Sequence, residues 1–519
     1  MKRIFFIAAC LASANGLLAQ EPADALRYGW TTSNGTARQQ AIGGAMASLG
    51  GDISATFVNP AGLGFFKTGD FVLTPAYNFL NNKSSYFGRT EKDKSKQLSF
   101  GTSGIIWGTG EINTRTSKSS GSAFAIAVNR TANFNNNILY RGINTQSSYS
   151  QKFLEQLRND NVTDANVAVS NYPFGTSLAM NTFWIDTANG YMSGNRNFVS
   201  LAQPLLATGG LIQEQIVNSS GGITELALAG AGNIKDKFYF GATLGIPFLN
   251  YSRESSFSEA DATTNINNRF DFATINENLS TKGTGLNLKL GIIYKPVEYV
   301  RLGFAFHTPT FYRLTDKYNA TVITDTEGFQ GRLNQSSSLF TGGNDAEISY
   351  WHFTPYRVMI SGSYVLREIE DVRKQKGFLT ADIEYVNYKS SSFTTDPEAD
   401  DSEETRAYFK KLNNAIDDAY KGAFNIKVGG ELKFTTIMAR LGAAYYGNPY
   451  KDLAGEKGSR FSASGGLGYR NKGMFIDLSY VHTMGKDVHY AYRLQYSAFS
   501  GARIKNTGGN AVLTVGFKI

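Results

Sequence analysis

The sequence predicts an all-β chain: a transmembrane antiparallel β-barrel of about 14 strands, preceded by an N-terminal helical segment. Composition is the first reason. Of 519 residues, 42% are apolar, 13% aromatic and only 18% charged, with 54 glycines and 11 prolines. Such a chain is too apolar for disorder. A mean hydropathy of −0.26, with no apolar run of about 20 residues beyond the N-terminus, excludes a bundle of membrane helices. The second reason is a two-residue apolar period, and the third is a sorting of the connections by length.

Residues 1–19 read as a secretory signal peptide: Lys2 and Arg3, an apolar stretch, then small Ala19 at the cleavage position. The only cysteine, Cys10, lies within it. Its surroundings formally resemble a lipoprotein box, but the apolar core before it is too short. The 51 basic and 43 acidic residues give +8, which falls to +6 when Lys2 and Arg3 leave with the leader. The bases are scattered and follow no nucleic-acid-binding module, so no nucleic-acid partner is expected.

Residues 20–69 do not alternate and form the helical segment that precedes the barrel. Ile42, Met46 and Leu49 fall at helical spacing, Gly50 and Gly51 stop the helix, and Asn59-Pro60-Ala61-Gly62 makes a turn. The barrel is expected over 70–519. Phe238, Phe240, Leu244, Ile246 and Phe248 alternate with small or polar residues, as do Leu286, Leu288, Leu290 and Ile292 and, near the end, Leu513, Val515 and Phe517. Strand starts fall near 70, 97, 121, 223, 237, 282, 299, 352, 377, 423, 437, 460, 473 and 508. Short links such as Thr435-Thr436 and Asn471-Lys472 alternate with long loops at 132–222, 252–280, 314–350, 392–421 and 484–506. Short turns at one end and long loops at the other mark an outer-membrane barrel.

The run from Arg38-Gln39-Gln40-Ala41-Ile42-Gly43-Gly44-Ala45 to Asn59-Pro60-Ala61-Gly62-Leu63 resembles the hatch of the FadL/TodX family of outer-membrane transporters for hydrophobic compounds. Segments 294–309, 439–445 and 466–480 extend the resemblance over most of the chain. The chain departs from the family in ending on Ile519 rather than an aromatic residue, and loop 132–222 matches poorly. The resemblance implies that residues 20–69 form a hatch, or plug, inside the barrel lumen, and that a hydrophobic, long-chain fatty-acid-like compound is taken up passively through an internal pocket, with gating at Asn59, Pro60, Ala61 and Gly62. It also implies a lateral opening where the third strand kinks, here near Asn129 and Arg130. Such an exit spares an apolar molecule rehydration.

The residues themselves suggest further contacts. Inward charges are expected at Lys289, Arg301, Arg357, Asp382, Glu384, Lys427, Glu431 and Arg440, chiefly paired with one another. Arg301 or Arg440 is the candidate for holding a ligand's carboxylate headgroup. Leu201, Leu205, Leu206, Leu211 and Ile212 could line an external apolar groove, facing Phe153, Leu154 and Leu157. No metal, cofactor or enzymatic motif is found, so the chain is expected to be no enzyme. Expected partners are a fatty acid or aromatic compound, outer-membrane lipid and lipopolysaccharide, and the barrel-assembly machinery, and the chain is expected to be a monomer. Fatty acid, aromatic hydrocarbon and haem all remain open as cargo. A surface adhesin and a porin for hydrophilic solutes are the competing functions.

Overall fold

In the computed structural model, residues 20–30, 34–110, 121–188, 198–366 and 376–519 are described, and the expected leader lies outside them. Fourteen staves form one antiparallel wall. They are β1 (Asp70–Leu73 and Pro75–Tyr86), β2 (Arg89–Phe100 and Ser103–Gly110), β3 (Gly121–Asn133 and Asn136–Asn144), β4 (Leu211–Ile234) and β5 (Phe238–Asp261). Next come β6 (Phe272–Val297), β7 (Val300–His307 and Phe311–Asp325), β8 (Ala346–Phe353 and Arg357–Leu366) and β9 (Gly377–Asn387 and Ser392–Thr395). The last are β10 (Gly422–Phe434), β11 (Ile437–Tyr446), β12 (Arg460–Asn471), β13 (Met474–His489) and β14 (Ala502–Lys518). Each stave pairs with the next, and β14 closes on β1 through Phe71 opposite Phe517.

The alternation read from the sequence becomes the two faces of this wall. Phe238, Phe240, Leu244 and Phe248 point outward and are exposed, as are Leu302, Phe304, Phe424 and Ile426. The inward partners Tyr239, Thr243 and Leu249 are buried. A greasy exterior of this height requires lipid around it. Tight turns join the staves at one end, where Lys235, Asp236, Thr435 and Lys472 take positive φ.

The staves outrun a bilayer. At roughly 3.3 Å per residue and a tilt of roughly 40°, the 24 residues of β5 rise about 60 Å, against an apolar band of about 25 Å. Hence much of what the sequence marked as loop is strand. The expected loop 132–222 contains the end of β3 and the first half of β4, and 252–280 contains the end of β5 and the start of β6. The loops 314–350, 392–421 and 484–506 likewise give up their ends to β7, β8, β9, β13 and β14. Above the bilayer the outward face is polar too, as at Glu254 and Asn278, so the apolar period vanishes while the ladder continues.

Helices sit at the two places where the wall does not provide structure. In the N-terminal segment are α1 (Pro22–Gly29), α2 (Ala37–Ala41), α3 (Ala55–Val58) and a 3-10 turn Pro60–Phe65. The expected longer helix through Met46 stops at Ala41 because Gly43 and Gly44 both adopt positive φ. Ile42, Met46 and Leu49 are nonetheless buried together against Val365 and Phe378. Over the wide end lie α4 (Ser150–Asn159), α5 (Ala165–Ser170), α6 (Thr176–Asn181) and α7 (Glu403–Ala419).

Candidate functional site: hatch, seam and chambers

The hatch is bolted to the inside of the wall by hydrogen bonds from both partners. Asn59 is extended, as a residue before proline must be. Its Oδ1 accepts from Ala61 N at 3.1 Å, and its Nδ2 donates to the carbonyls of Ala47, Ile292 and Phe304, joining hatch to β6 and β7. Asp382 of β9 accepts the backbone N–H groups of Met46 (2.9 Å) and Ala47 (3.0 Å). Thr514 accepts from Ala37 N at 2.8 Å, and Ser464 accepts from Gly43 N at 3.1 Å.

Close approach explains why the wall is rich in glycine here. A Cβ at Gly291 would stand 1.8 Å from Asn59 Oδ1, one at Gly442 2.1 Å from Gly43 N, and one at Gly429 2.3 Å from the Ile42 carbonyl. Pro60 and Ala61 press on Gly241 in the same way. The Asn59, Pro60, Ala61 and Gly62 motif is therefore buried against β5 and β6, at the heart of the contact between hatch and wall.

Beside the hatch the wall has a seam. β3 pairs with the lower half of β2 only as far as Val128 opposite Ser103. Beyond that, no ladder joins β3 to the Arg89–Phe100 half of β2 among the described residues. On its other edge β3 slips register against β4 between Arg130 and Ala132. Asn129 and Arg130 thus mark the irregularity.

Side chains, chiefly amides, bridge the seam in place of a ladder. Asn34, from the hatch, donates to Arg130 O (2.8 Å) and reaches Phe100 O (3.4 Å), and its own carbonyl accepts from Asn129 Nδ2 at 3.1 Å. Higher up, Asn82 Nδ2 of β1 donates to Asn136 Oδ1 and Asn137 O of β3, both at 2.6 Å, while Ser95 Oγ donates to Asn135 O and Asn137 Nδ2 to Lys94 O, each at 3.2 Å. Asn135 donates to Gln97. Sequence reasoning found Asn129 and Arg130 but missed Asn34, Asn82 and Asn135. The Asn-rich run 129–137, unsuited to a strand by propensity, was the available signal.

Two cavities adjoin this seam. The inner one, about 140 Å³, is lined by Phe57 and Val58 of the hatch and by Asn129, Lys289, Arg357 and Lys427 of the wall. The outer one, about 320 Å³, lies along the seam, with Ser95, Gln97, Arg130, Asn133 and Asn135 in its lining. Asn34 and Tyr446 line both. Several polar atoms here are buried with no hydrogen-bond partner among the described residues: Asn34 Oδ1, Gln39 Oε1, Asn129 Oδ1, Trp30 Nε1, Arg130 Nε and Arg460 Nε. Each costs about 1–3 kcal/mol until a partner arrives.

The structure divides the expected charges between two tasks. Arg440 is fully buried between Glu431 and Asp477, at 2.6 Å from each. Arg301 donates to Leu49 O at 2.8 Å and lies over the Phe65 ring. Arg440 joins wall to wall and Arg301 joins wall to hatch, and neither lines either of these two cavities, which give the headgroup role expected of them no support. The inner-cavity cations are Lys289, Arg357 and Lys427, and the outer cavity adds Lys96, Arg130 and Arg460; a strand period alone cannot separate these from other inward bases.

The proposed external groove is also revised. Leu205 and Leu211 are buried in one cluster with Phe153, Leu157, Trp184 and Phe257, and Leu201 and Leu206 pack against it. Pro204 confines this stretch to a single 3-10 turn, Gln203–Ala207, and Gly210 at φ 87° leads into β4. Leu211 then points inward and Ile212 outward, by strand alternation. These leucines form the core of an outer cap. At its centre Glu259 accepts from Trp184 Nε1 (2.9 Å), Tyr149 N (3.0 Å) and Gln213 Nε2 (3.0 Å), while burial pushes its carboxyl above the ordinary range.

No protein-family model matches the chain, and no curated protein sequence matches it significantly. Solved structures do. A FadL homologue from Pseudomonas aeruginosa is 13% identical with a TM-score of 0.54, covering 94% of this chain and 99% of its own. A TodX monoaromatic hydrocarbon channel lacking S2 and S3 gives 0.51 at 13% identity, covering 94% and 100%. A TodX variant lacking S2 gives 0.51 at 12%, covering 95% and 99%. The fold is that of FadL-like barrels.

Proposed function

We propose that this protein is a passive outer-membrane conduit for hydrophobic compounds, admitting cargo under the cap and releasing it sideways through the seam between β2 and β3. The observation that carries the reading is the unpaired edge of β3 beyond Val128, placed beside two adjoining cavities. The fold shared with a FadL homologue and with monoaromatic hydrocarbon channels supports it. Everywhere else the ladder closes the wall to lipid, because an unpaired backbone group in hydrocarbon is costly. Only at the seam do side chains replace it, and side chains can swing aside without breaking strand pairing.

The hatch supplies the gate, since the Asn59 to Gly62 turn occupies the lumen that a hydrophilic solute would need. This weighs against the porin reading. The test uses a background free of other cysteines, Cys10 being in the expected leader. Gln97→Cys combined with Asn135→Cys places two thiols across the seam. Oxidation should lower uptake of a labelled hydrophobic compound into proteoliposomes by about tenfold, and reductant should restore it. Unchanged uptake in the oxidised protein refutes lateral release.

A further inference from the structure

The polar groups along the cavities differ in whether they are already occupied. The inner cations are spent. Lys289 is paired with Glu225 and donates to Asn287 Oδ1 at 2.7 Å. Lys427 pairs with Glu384 at 3.0 Å, and Arg357 lies 3.8 Å from Glu384 and donates to Gly29 O at 2.6 Å. An incoming carboxylate in the inner cavity would have to displace a carboxylate already in place; the outer-cavity arginines, Arg130 and Arg460, lie away from the inner acceptors that the head would have to meet.

Neutral acceptors are in the opposite condition. Asn129 and Gln39 are 3% and 5% exposed, and their side-chain oxygens have no partner among the described residues, nor does that of Asn34. Trp30 Nε1 and the Nε atoms of Arg130 and Arg460 are donors in the same state. An anion can answer only the donors, and a hydrocarbon answers neither. A hydroxyl both donates and accepts, so a head bearing several of them answers the whole set.

We propose, resting on the conduit reading above, that the paired cavities bind the neutral, hydroxyl-bearing head of an amphiphile, a sugar-headed lipid being the simplest case. The head sits between Asn34, Gln39 and Asn129. The alkyl tail lies along the seam toward Phe79 and Leu80, which line the outer cavity. A site built to hydrogen-bond hydroxyls discriminates strongly against analogues that lack them.

The full chain in nanodiscs is tested by equilibrium binding of radiolabelled dodecyl β-D-glucoside, dodecanoate and dodecane. The glucoside should bind at least about tenfold tighter than either competitor. Asn129→Leu and Gln39→Leu should each weaken it by about three- to tenfold, the worth of one hydrogen bond, and leave dodecanoate within about twofold. Heat-modifiable gel migration identifies any variant that fails to fold, and the second variant then decides. Equal or tighter binding of dodecanoate, or variants indistinguishable from the parent, would overturn the head-group assignment, the polar atoms being merely hydrated. In that case reductant-dependent uptake in the seam cysteine pair would leave the conduit standing. Absence of binding by all three probes, together with absence of uptake, overturns both.

Discussion

The wall from β10 to β13 and the seam between β2 and β3 solve the same problem with different bonds. Between β10 and β13 every stave is laddered to its neighbours from turn to rim, and Arg440 binds carboxylates from β10 and β13 within the lumen. At the seam the ladder is missing, and amide and hydroxyl side chains reach across instead. Backbone pairing is obligatory in lipid, whereas a side-chain bridge is exchangeable. A closed barrel can thus place its one weak line beside the cavity that uses it.

Breaking the strong side gives the largest expected effect. Arg440→Ala leaves Glu431 and Asp477 buried without their cation and should cost about 3–5 kcal/mol, read as a lower urea midpoint in micelles. A loss below about 1 kcal/mol would show that the ladder alone holds this wall. An intermediate effect is expected from pH at the outer rim, where Tyr140 of β3 meets His489 of β13 with its hydroxyl 3.1 Å from Nδ1. Burial holds the His489 imidazole down at about 4, so the folded rim binds fewer protons than the unfolded one between about 4 and 6.5. Its stability is therefore full above about pH 6.5 and falls as pH drops through that window, by about 1–3 kcal/mol. Proteolysis of the cap should accelerate accordingly, and His489→Gln should flatten the profile. The smallest effect sharpens the seam itself. Asn82→Ala removes two bridges and should cost about 1 kcal/mol globally. It should raise spin-label mobility at position 97 while leaving a label on β12 unmoved; equal mobility at both would mean that the seam is no weaker than the wall.

What the sequence revealed follows the physics of each region. Strand starts at the tight-turn end, near 121, 237, 299, 377, 437 and 473, were legible because lipid enforces an outward apolar residue at every second position. Starts at the rim were misplaced by up to about a dozen residues because that enforcement ends with the bilayer. The Asn59-Pro60-Ala61-Gly62 turn was legible as a local signal, but its carbonyl partners on β6 and β7 are more than two hundred residues away. For the same reason Arg301 and Arg440 could be placed on the inner face but not assigned to hatch or cavity. The leucines of the expected groove carried the right hydrophobicity and the wrong period, since Pro204 and Gly210 are what fix the local geometry.

The glycines at positions 241, 291, 429 and 442 have one more consequence. Their missing side chains are a negative of the hatch, impressed on the inner surface of four separate staves. Plug and cylinder are therefore cut to one template. A hatch grafted from another barrel would meet side chains where this one meets bare backbone, and a glycine lost from any of these staves would press on a hatch segment about 180 residues or more away in the chain.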